Sequence, residues 1–295
     1  MRPGAGPAGA HAYLARIDVD PGLPPTLETL RRVHRAHLDA VPYENLGIML
    51  ANLLGGTPPS TAVEDCLRRV ATVGRAGYCF HQNTALGAGL EALGFDVSHR
   101  HGHVWTRPEH RGGAELNHLV LVVSGLPTGE NPGGRWWPDA GLGEGFRDPV
   151  ALVDGPFEDG GFGHALDGVT PDGWSFTHAS GGTFRGIEVT PRPVDDDGIA
   201  SAHAELSTPP DGVFTRVLVV QRRRDTHYDS LRGCVLSRVG GSSRVERDVT
   251  SYTDWRNALV TVLRVPVDDV PADDLEALWS SVRGAHDAWD AAGRP

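Results

Sequence analysis

The 295-residue sequence contains no lysine: all 27 basic side chains are arginine, and they face 38 Asp and Glu for a net charge of −11. A surface of that sign repels phosphate backbones and argues against nucleic acid as a partner, while leaving room for a local basic pocket around one small phosphorylated molecule. The missing lysines, with heavy Ala, Gly and Pro usage, fit the codon bias of a GC-rich genome and carry no mechanism. No apolar run approaches the ~18–20 residues of a membrane-spanning helix. Residues 1–14 hold one Arg and no apolar core, so no secretory leader is expected. Cysteine is scarce, at 66, 79 and 234 only. Three is too few for a disulfide framework, no Cys-x-x-Cys pair suggests zinc, and the odd count fits a reducing cytoplasm. Apolar residues at 39% and charged residues at 22% are ordinary for a globular chain and exclude collagen, coiled coil and wholesale disorder.

What is present changes character twice. Up to about residue 95 the pattern is helical. Leu27, Leu30, Val33, His34, Leu38 and Val41 recur at three- and four-residue steps behind Thr26 as N-cap, 61–72 reads as a second helix, and 79–93 as a third ending at Gly94. From 96 to about 250 short β-type runs dominate, among them 116–123, 183–190, 212–223 and 233–239. Segments 125–135, 154–163 and 191–198 read as loops. Helical periodicity returns after Tyr252. The layout is α+β, in three parts around one site.

Cys79, in GRAGYCFHQN (74–83), stands where a helical pattern begins. A thiol there feels the positive end of the helix dipole and the free N–H groups of the first turn. Both favour thiolate, and the same groups can receive an oxyanion. The alternative is a small buried hydrophobe. His118 lies in LNHLVLVV (116–123), on one strand face with Val120 and Val122, as a base for the thiol or as a core histidine bonded to a carbonyl. Asp139 follows two Trp and precedes a Gly-rich turn; it is a turn former or a buried carboxylate orienting an imidazolium. Together, in the order Cys, His, Asp, they are what a thiol–imidazole–carboxylate triad requires.

The blocks VPYENLGI (41–48), GRAGYCFHQN (74–83), LNHLVLVV (116–123), PDAGLGEG (138–145) and ELSTPPDGVFTRVLVVQRR (205–223) run collinearly and resemble the signature blocks of the arylamine N-acetyltransferase family, bacterial type. That resemblance implies an N-terminal helical domain over 1–95 carrying the nucleophile, a central β-barrel over 96–210 carrying His and Asp, and a C-terminal α/β lid over 211–295, with a cysteine-protease-like triad between the first two. It implies Cys79 as nucleophile, His118 as base and Asp139 as orienting acid, with Arg75 and Glu44 as an ion pair supporting the site. Tyr43, Phe80 and His81 are candidates for the substrate pocket. His81 stands where the family usually has Glu, and Tyr43 where it usually has Phe. The implied activity is ping-pong acetyl transfer from acetyl-CoA, a co-substrate and not a resident cofactor, to an arylamine, arylhydrazine or similar amine.

Three other readings share these residues. A natural-product amide synthase would take its acyl chain from an acyl carrier protein or another acyl-CoA. A hydrolase or transglutaminase-like enzyme would use the same triad, and a binding protein would retain the motif without chemistry. His99, His101 and His103 alternate as ligands on one strand face would, but no Cys, Asp or Glu at matching spacing completes a metal set, so none is expected. The run Arg222-Arg223-Arg224 reads as a reach toward a CoA phosphate or as a solvated strand end. Cys66 and Cys234 read as packing residues.

Overall fold

The computed structural model describes residues 7–178, 182–192 and 194–294. The N-terminal part holds α1 (Pro7–Arg16), α2 (Leu27–Ala40), β1 (Tyr43–Glu44), α3 (Leu46–Leu54), α4 (Val63–Val73) and α5 (Cys79–Ala92). Thr26 caps α2, its hydroxyl accepting the Thr29 N–H at 3.2 Å. The apolar stripe of α2, with Leu30, Val33 and Leu38, packs with Tyr13, Leu67, Leu86 and Leu90. Helix α5 is buried on nearly every side, which is why its sequence shows no polar face.

Eight antiparallel strands follow: β2 (Asp96–Trp105), β3 (His118–Ser124), β4 (Trp136–Trp137), β5 (Val150–Ala151), β6 (Gly155–Asp159), β7 (Phe162–Asp167), β8 (Trp174–His178) and β9 (Gly186–Thr190). Their order is β5-β4-β3-β2-β9-β8-β7-β6. The expected β-barrel is an eight-stranded sheet that stays open among the described residues: β5 and β6 are its two edges, and β5 is only two residues long. Strand β3 is apolar on both faces because it serves two cores. Leu121 and Val123 pack on the helices, while Val120 and Val122 join Trp137, Phe146, Trp174 and Phe176.

Then come α6 (Asp196–Ser207), α7 (Val213–Arg216), β10 (Val219–Arg223), β11 (His227–Arg232), β12 (Val235–Gly240), β13 (Ser243–Asp248), α8 (Tyr252–Asn257), a π-helical turn at Ala258–Val262 and α9 (Ala272–Ala291). The second sheet runs β1-β10-β11-β12-β13, so Tyr43 and Glu44 from the N-terminal part supply an edge of the C-terminal sheet, opposite Gln221 and Val220. The face bearing Val220 and Leu231 packs on Trp255, Leu259, Leu275 and Leu278. Three expectations are corrected here. Segment 212–223 is a short helix and then a strand, 154–163 contains β6, and 191–198 contains the Asp195 cap of α6, which accepts the Gly198 N–H at 2.8 Å.

Arginines join these parts. Arg223 is 2% exposed. It bonds the Gly145 carbonyl at 2.7 Å and Asp159 Oδ2 at 2.6 Å, and its guanidinium lies 4.6 Å from the Phe162 ring centre. Arg222 is equally buried and bonds the carbonyls of Leu263 and Asp39. Neither is a solvated strand end, and neither is free to meet a phosphate. Removing the guanidinium with Arg223→Met leaves the Gly145 carbonyl without its donor and the Asp159 carboxylate without its counter-ion, holding only the Arg147 N–H, so unfolding in urea should show a loss of about 3–5 kcal/mol. A loss below about 1 kcal/mol would mean that this pair does not hold the two sheets together.

Candidate active site

Gly74, in the left-handed region at φ 84, ends α4, and the chain turns through Gly77 before α5 begins at Cys79. Gly77 has φ +136, and a Cβ there would sit 2.5 Å from His81 Nδ1, so only glycine fits. No side chain caps α5, which leaves first-turn N–H groups pointing out beside the sulfur. The Gln82 side chain fastens this turn, its amide nitrogen donating to the carbonyls of Pro42 (2.8 Å) and Gly77 (2.9 Å). Cys79 is 3% exposed. Its thiol points at the Asn117 carbonyl, 3.6 Å away.

Asn117 precedes β3 and is locked to β2, accepting from the Val104 N–H (2.6 Å) and donating to the Val104 carbonyl (3.0 Å). The next residue, His118, is 2% exposed. Its Nε2 lies 2.8 Å from Asp139 Oδ2, which leaves Nδ1 as the ring nitrogen not committed to the carboxylate. Burial works against charge on this ring, but the Asp139 carboxylate and Cys79 outweigh it and the imidazole is pushed up to about 10.

Asp139 is 1% exposed and fully bonded. Oδ2 accepts from His118 and from Trp137 Nε1 (2.9 Å); Oδ1 accepts from Asn83 Nδ2 and the Gly141 N–H, both at 2.9 Å. Asn83 stands one helical turn after Cys79, and its Oδ1 also takes the Ala140 N–H at 2.9 Å. Gly141 passes so close that a Cβ on it would lie 2.7 Å from the Cys79 Cα. The structure thus brings Cys79, His118 and Asp139 together from α5, β3 and the segment after β4. Asn83, Trp137 and Asn117 belong to the same arrangement and were not singled out from the sequence. The one available signal was the four-residue spacing of Asn83 from the cysteine.

The supporting ion pair is different from the expected one. Arg75 bonds Asp269 Oδ2 at 2.5 Å, and Glu44 turns back to accept the Leu46 N–H at 2.6 Å. Asp269 lies 194 residues further along the chain, so local sequence could not point to it. Of the three pocket candidates, Phe80 and His81 are fully buried and present no surface, while Tyr43 is half-buried beside the cysteine. His81 Nε2 meets the Pro59 carbonyl at 3.0 Å, and its ring packs edge-on to His203. Burial and the nearby Arg69 hold its pKa well below the ordinary value, so it is neutral. Residues of α6 and α7, with Ile199, Ala202 and Phe214, join Tyr43, Leu116 and Leu119 in the apolar cluster that covers Cys79. Burial pushes the other two thiols up, Cys66 to about 12 and Cys234 to about 11. His103 bonds the carbonyls of Glu115 and His110, and among the described residues no group of His, Cys, Asp and Glu could hold a metal ion. No helix there is long and apolar enough to cross a membrane.

A thiol at a helix start, a charged imidazole beside it and a fixed carboxylate behind that imidazole are equipped for acyl transfer. An N-acetyltransferase family model matches residues 26–271. The arylamine N-acetyltransferase of Mycolicibacterium smegmatis is 30% identical over 276 residues, covering 90% of this chain and 94% of the relative. A crystal structure of a single-residue variant of a Mycobacterium smegmatis arylamine N-acetyltransferase superposes with TM-score 0.79 at 26% identity, covering 92% of this chain and 98% of the other. The arylamine N-acetyltransferase of Mycobacterium abscessus gives 0.78 at 26%, covering 96% and 99%.

The buried rings set an acid limit on stability. Burial pushes His37, His164 and His203 down to about 4 and His178 to about 3. In the unfolded chain these rings take up protons near pH 6.5, so between there and 4 the unfolded state binds more protons and stability falls with pH. His118 has the opposite sign, its contribution being whole below about 6.5 and lost as pH rises through about 10. Urea midpoints across this range should therefore peak near neutrality, and a midpoint that holds steady from pH 6.5 to 4 would contradict the neutral-histidine core.

Proposed function

The chain belongs to the arylamine N-acetyltransferase family and is an acyltransferase, and we propose that it carries an acetyl group from acetyl-CoA to an arylamine or arylhydrazine through a thioester on Cys79. The observation that carries this reading is the Asp139–His118 pair, at 2.8 Å, aimed at a cysteine on the first turn of a helix.

In the first half-reaction the Cys79 sulfur attacks the thioester carbonyl of acetyl-CoA, its proton held by His118. The oxyanion of the tetrahedral adduct lies toward the N–H groups at the start of α5, where no side-chain cap competes for them. Collapse breaks the bond to the CoA sulfur, which leaves with the proton from His118. The acetyl group is then on Cys79. In the second half the amine nitrogen attacks this thioester, His118 removes a proton from the nitrogen, and collapse releases the amide and the Cys79 thiol. Asp139 keeps Nε2 of His118 protonated, so that Nδ1 is the nitrogen that exchanges the proton. Half-buried Tyr43 and the apolar residues over Cys79 give the acceptor's ring a surface of matching character.

Brief incubation with acetyl-CoA should add about 42 Da to the intact protein, an acetyl in place of a hydrogen, and the Cys79→Ala variant should gain nothing. An arylamine added afterwards should remove the adduct faster than water does. An adduct on Cys79→Ala, or one that amines do not discharge, would overturn the reading. Labelling by longer acyl-CoAs alone would assign a different donor.

A further inference from the structure

Helix α2 carries two histidines one turn apart, His34 and His37, both 0% exposed, and both outside the site inferred from the sequence. Each ring bonds two residues outside its own helix. His37 Nε2 meets Gln82 Oε1 at 2.5 Å, and Gln82 in turn fastens the turn ahead of Cys79. The Tyr13 hydroxyl meets the other His37 nitrogen at 2.7 Å.

His34 holds the opposite side of the site. Its Nε2 accepts the N–H of Asp139 at 3.1 Å, and its Nδ1 meets the carbonyl of Arg147 at 3.0 Å. One ring therefore grips both ends of the segment 139–147. A backbone N–H can only donate and a carbonyl can only accept. The ring is accordingly fixed as the neutral tautomer with hydrogen on Nδ1. Two ion pairs from the same helix brace the far end of that segment. Arg35 bonds Asp148 through two nitrogens at 2.6 and 2.5 Å, and Asp39 takes two nitrogens of Arg147 at 2.9 and 3.0 Å. At the near end, where the acid sits, the bond from α2 is His34 Nε2.

We propose that His34 is a positioning residue for the triad: its unprotonated Nε2 fixes the main chain of Asp139 and thereby the direction in which the carboxylate meets His118. With His37 acting through Gln82, α2 then sets the distance between the turn of the nucleophile and the segment of the acid. The inference rests on the triad reading of Cys79, His118 and Asp139, and it adds a residue that touches none of the reacting atoms. A carboxylate rotated away from His118 leaves the buried imidazole beside Cys79 without the charge that favours its protonated form.

Two near-isosteres separate the two bonds. The Gln oxygen reaches the place of Nε2, so His34→Gln keeps the acceptor for Asp139 and loses the donor to Arg147. The Asn nitrogen reaches the place of Nδ1, so His34→Asn keeps the Arg147 bond and loses the Asp139 acceptor. The readout is the rate of Cys79 alkylation by iodoacetamide at neutral pH, followed by peptide mass; it needs no acyl donor, so it is independent of which donor the enzyme uses. His34→Gln should stay within about threefold of wild type, and His34→Asn should slow by at least about tenfold while its unfolding midpoint matches that of the Gln variant. Equal rates for the two variants would overturn the assignment, because a residue that only fills space does not distinguish which ring nitrogen is replaced. A wild-type Cys79 no faster than Cys66 and Cys234 would instead overturn the triad and this inference with it.

Discussion

The buried carboxylate of Asp139 is the group on which the rest of the site depends. Taken out of water alone, a carboxylate costs several kcal/mol or becomes protonated. Here four N–H donors surround it, from His118 on β3, Trp137 on β4, Asn83 on α5 and Gly141 in its own segment. Each donor comes from a different element, so the carboxylate is bonded in full only when helix, sheet and loop have all docked. The charge that results holds the imidazole of His118 in its protonated form against the pull of burial. Folding and the charging of the imidazole are in this sense one event.

The architecture follows from what that arrangement needs. A cysteine on the first turn of a helix has N–H groups to offer only if the helix end is held in one direction, and α5 is held by being buried among α1, α2, α4 and β3. The strand bearing His118 must reach both the helical core and the sheet core, which its continuous apolar run allows. The loop bearing Asp139 crosses the cysteine at a distance only Gly141 permits. Arginine then does what lysine, absent from the whole chain, does less well: planar guanidinium groups at 35, 147 and 223 make several directed bonds each and tie α2, the acid's segment and the C-terminal sheet together.

Much of this was legible in the sequence, and the boundary of legibility has a physical cause. Cys79 at a helix start, a lone histidine in an apolar strand and an acid before a glycine turn are local patterns, and their order along the chain added the rest. The helical first third and the later strands could likewise be read from periodicity. The open edge between β5 and β6, the pairing of β1 with β10 and the Arg75–Asp269 pair depend on partners far away in the chain, which periodicity does not encode. Two misreadings were local. Val213, Thr215 and Val217 looked like strand residues, yet Thr215 bonds the carbonyls of Pro209 and Gly212 and closes a short helix. In β6, Gly155, Pro156 and Asp159 gave a loop composition to a strand on the edge of a sheet, where proline is tolerated. His81 looked like a specificity position two residues from Cys79, but α5 turns it away into the packing against His203 and Pro59.

Asp139 keeps His118 positively charged in the resting protein. The direct measurement is the protonation state of the His118 ring nitrogens, followed by nitrogen-detected NMR as pH is raised. Both nitrogens of His118 should still carry hydrogen at about pH 8, well above an ordinary histidine, and Asp139→Asn should bring the titration back toward the usual range. A wild-type His118 that is already neutral at about pH 8 would contradict it.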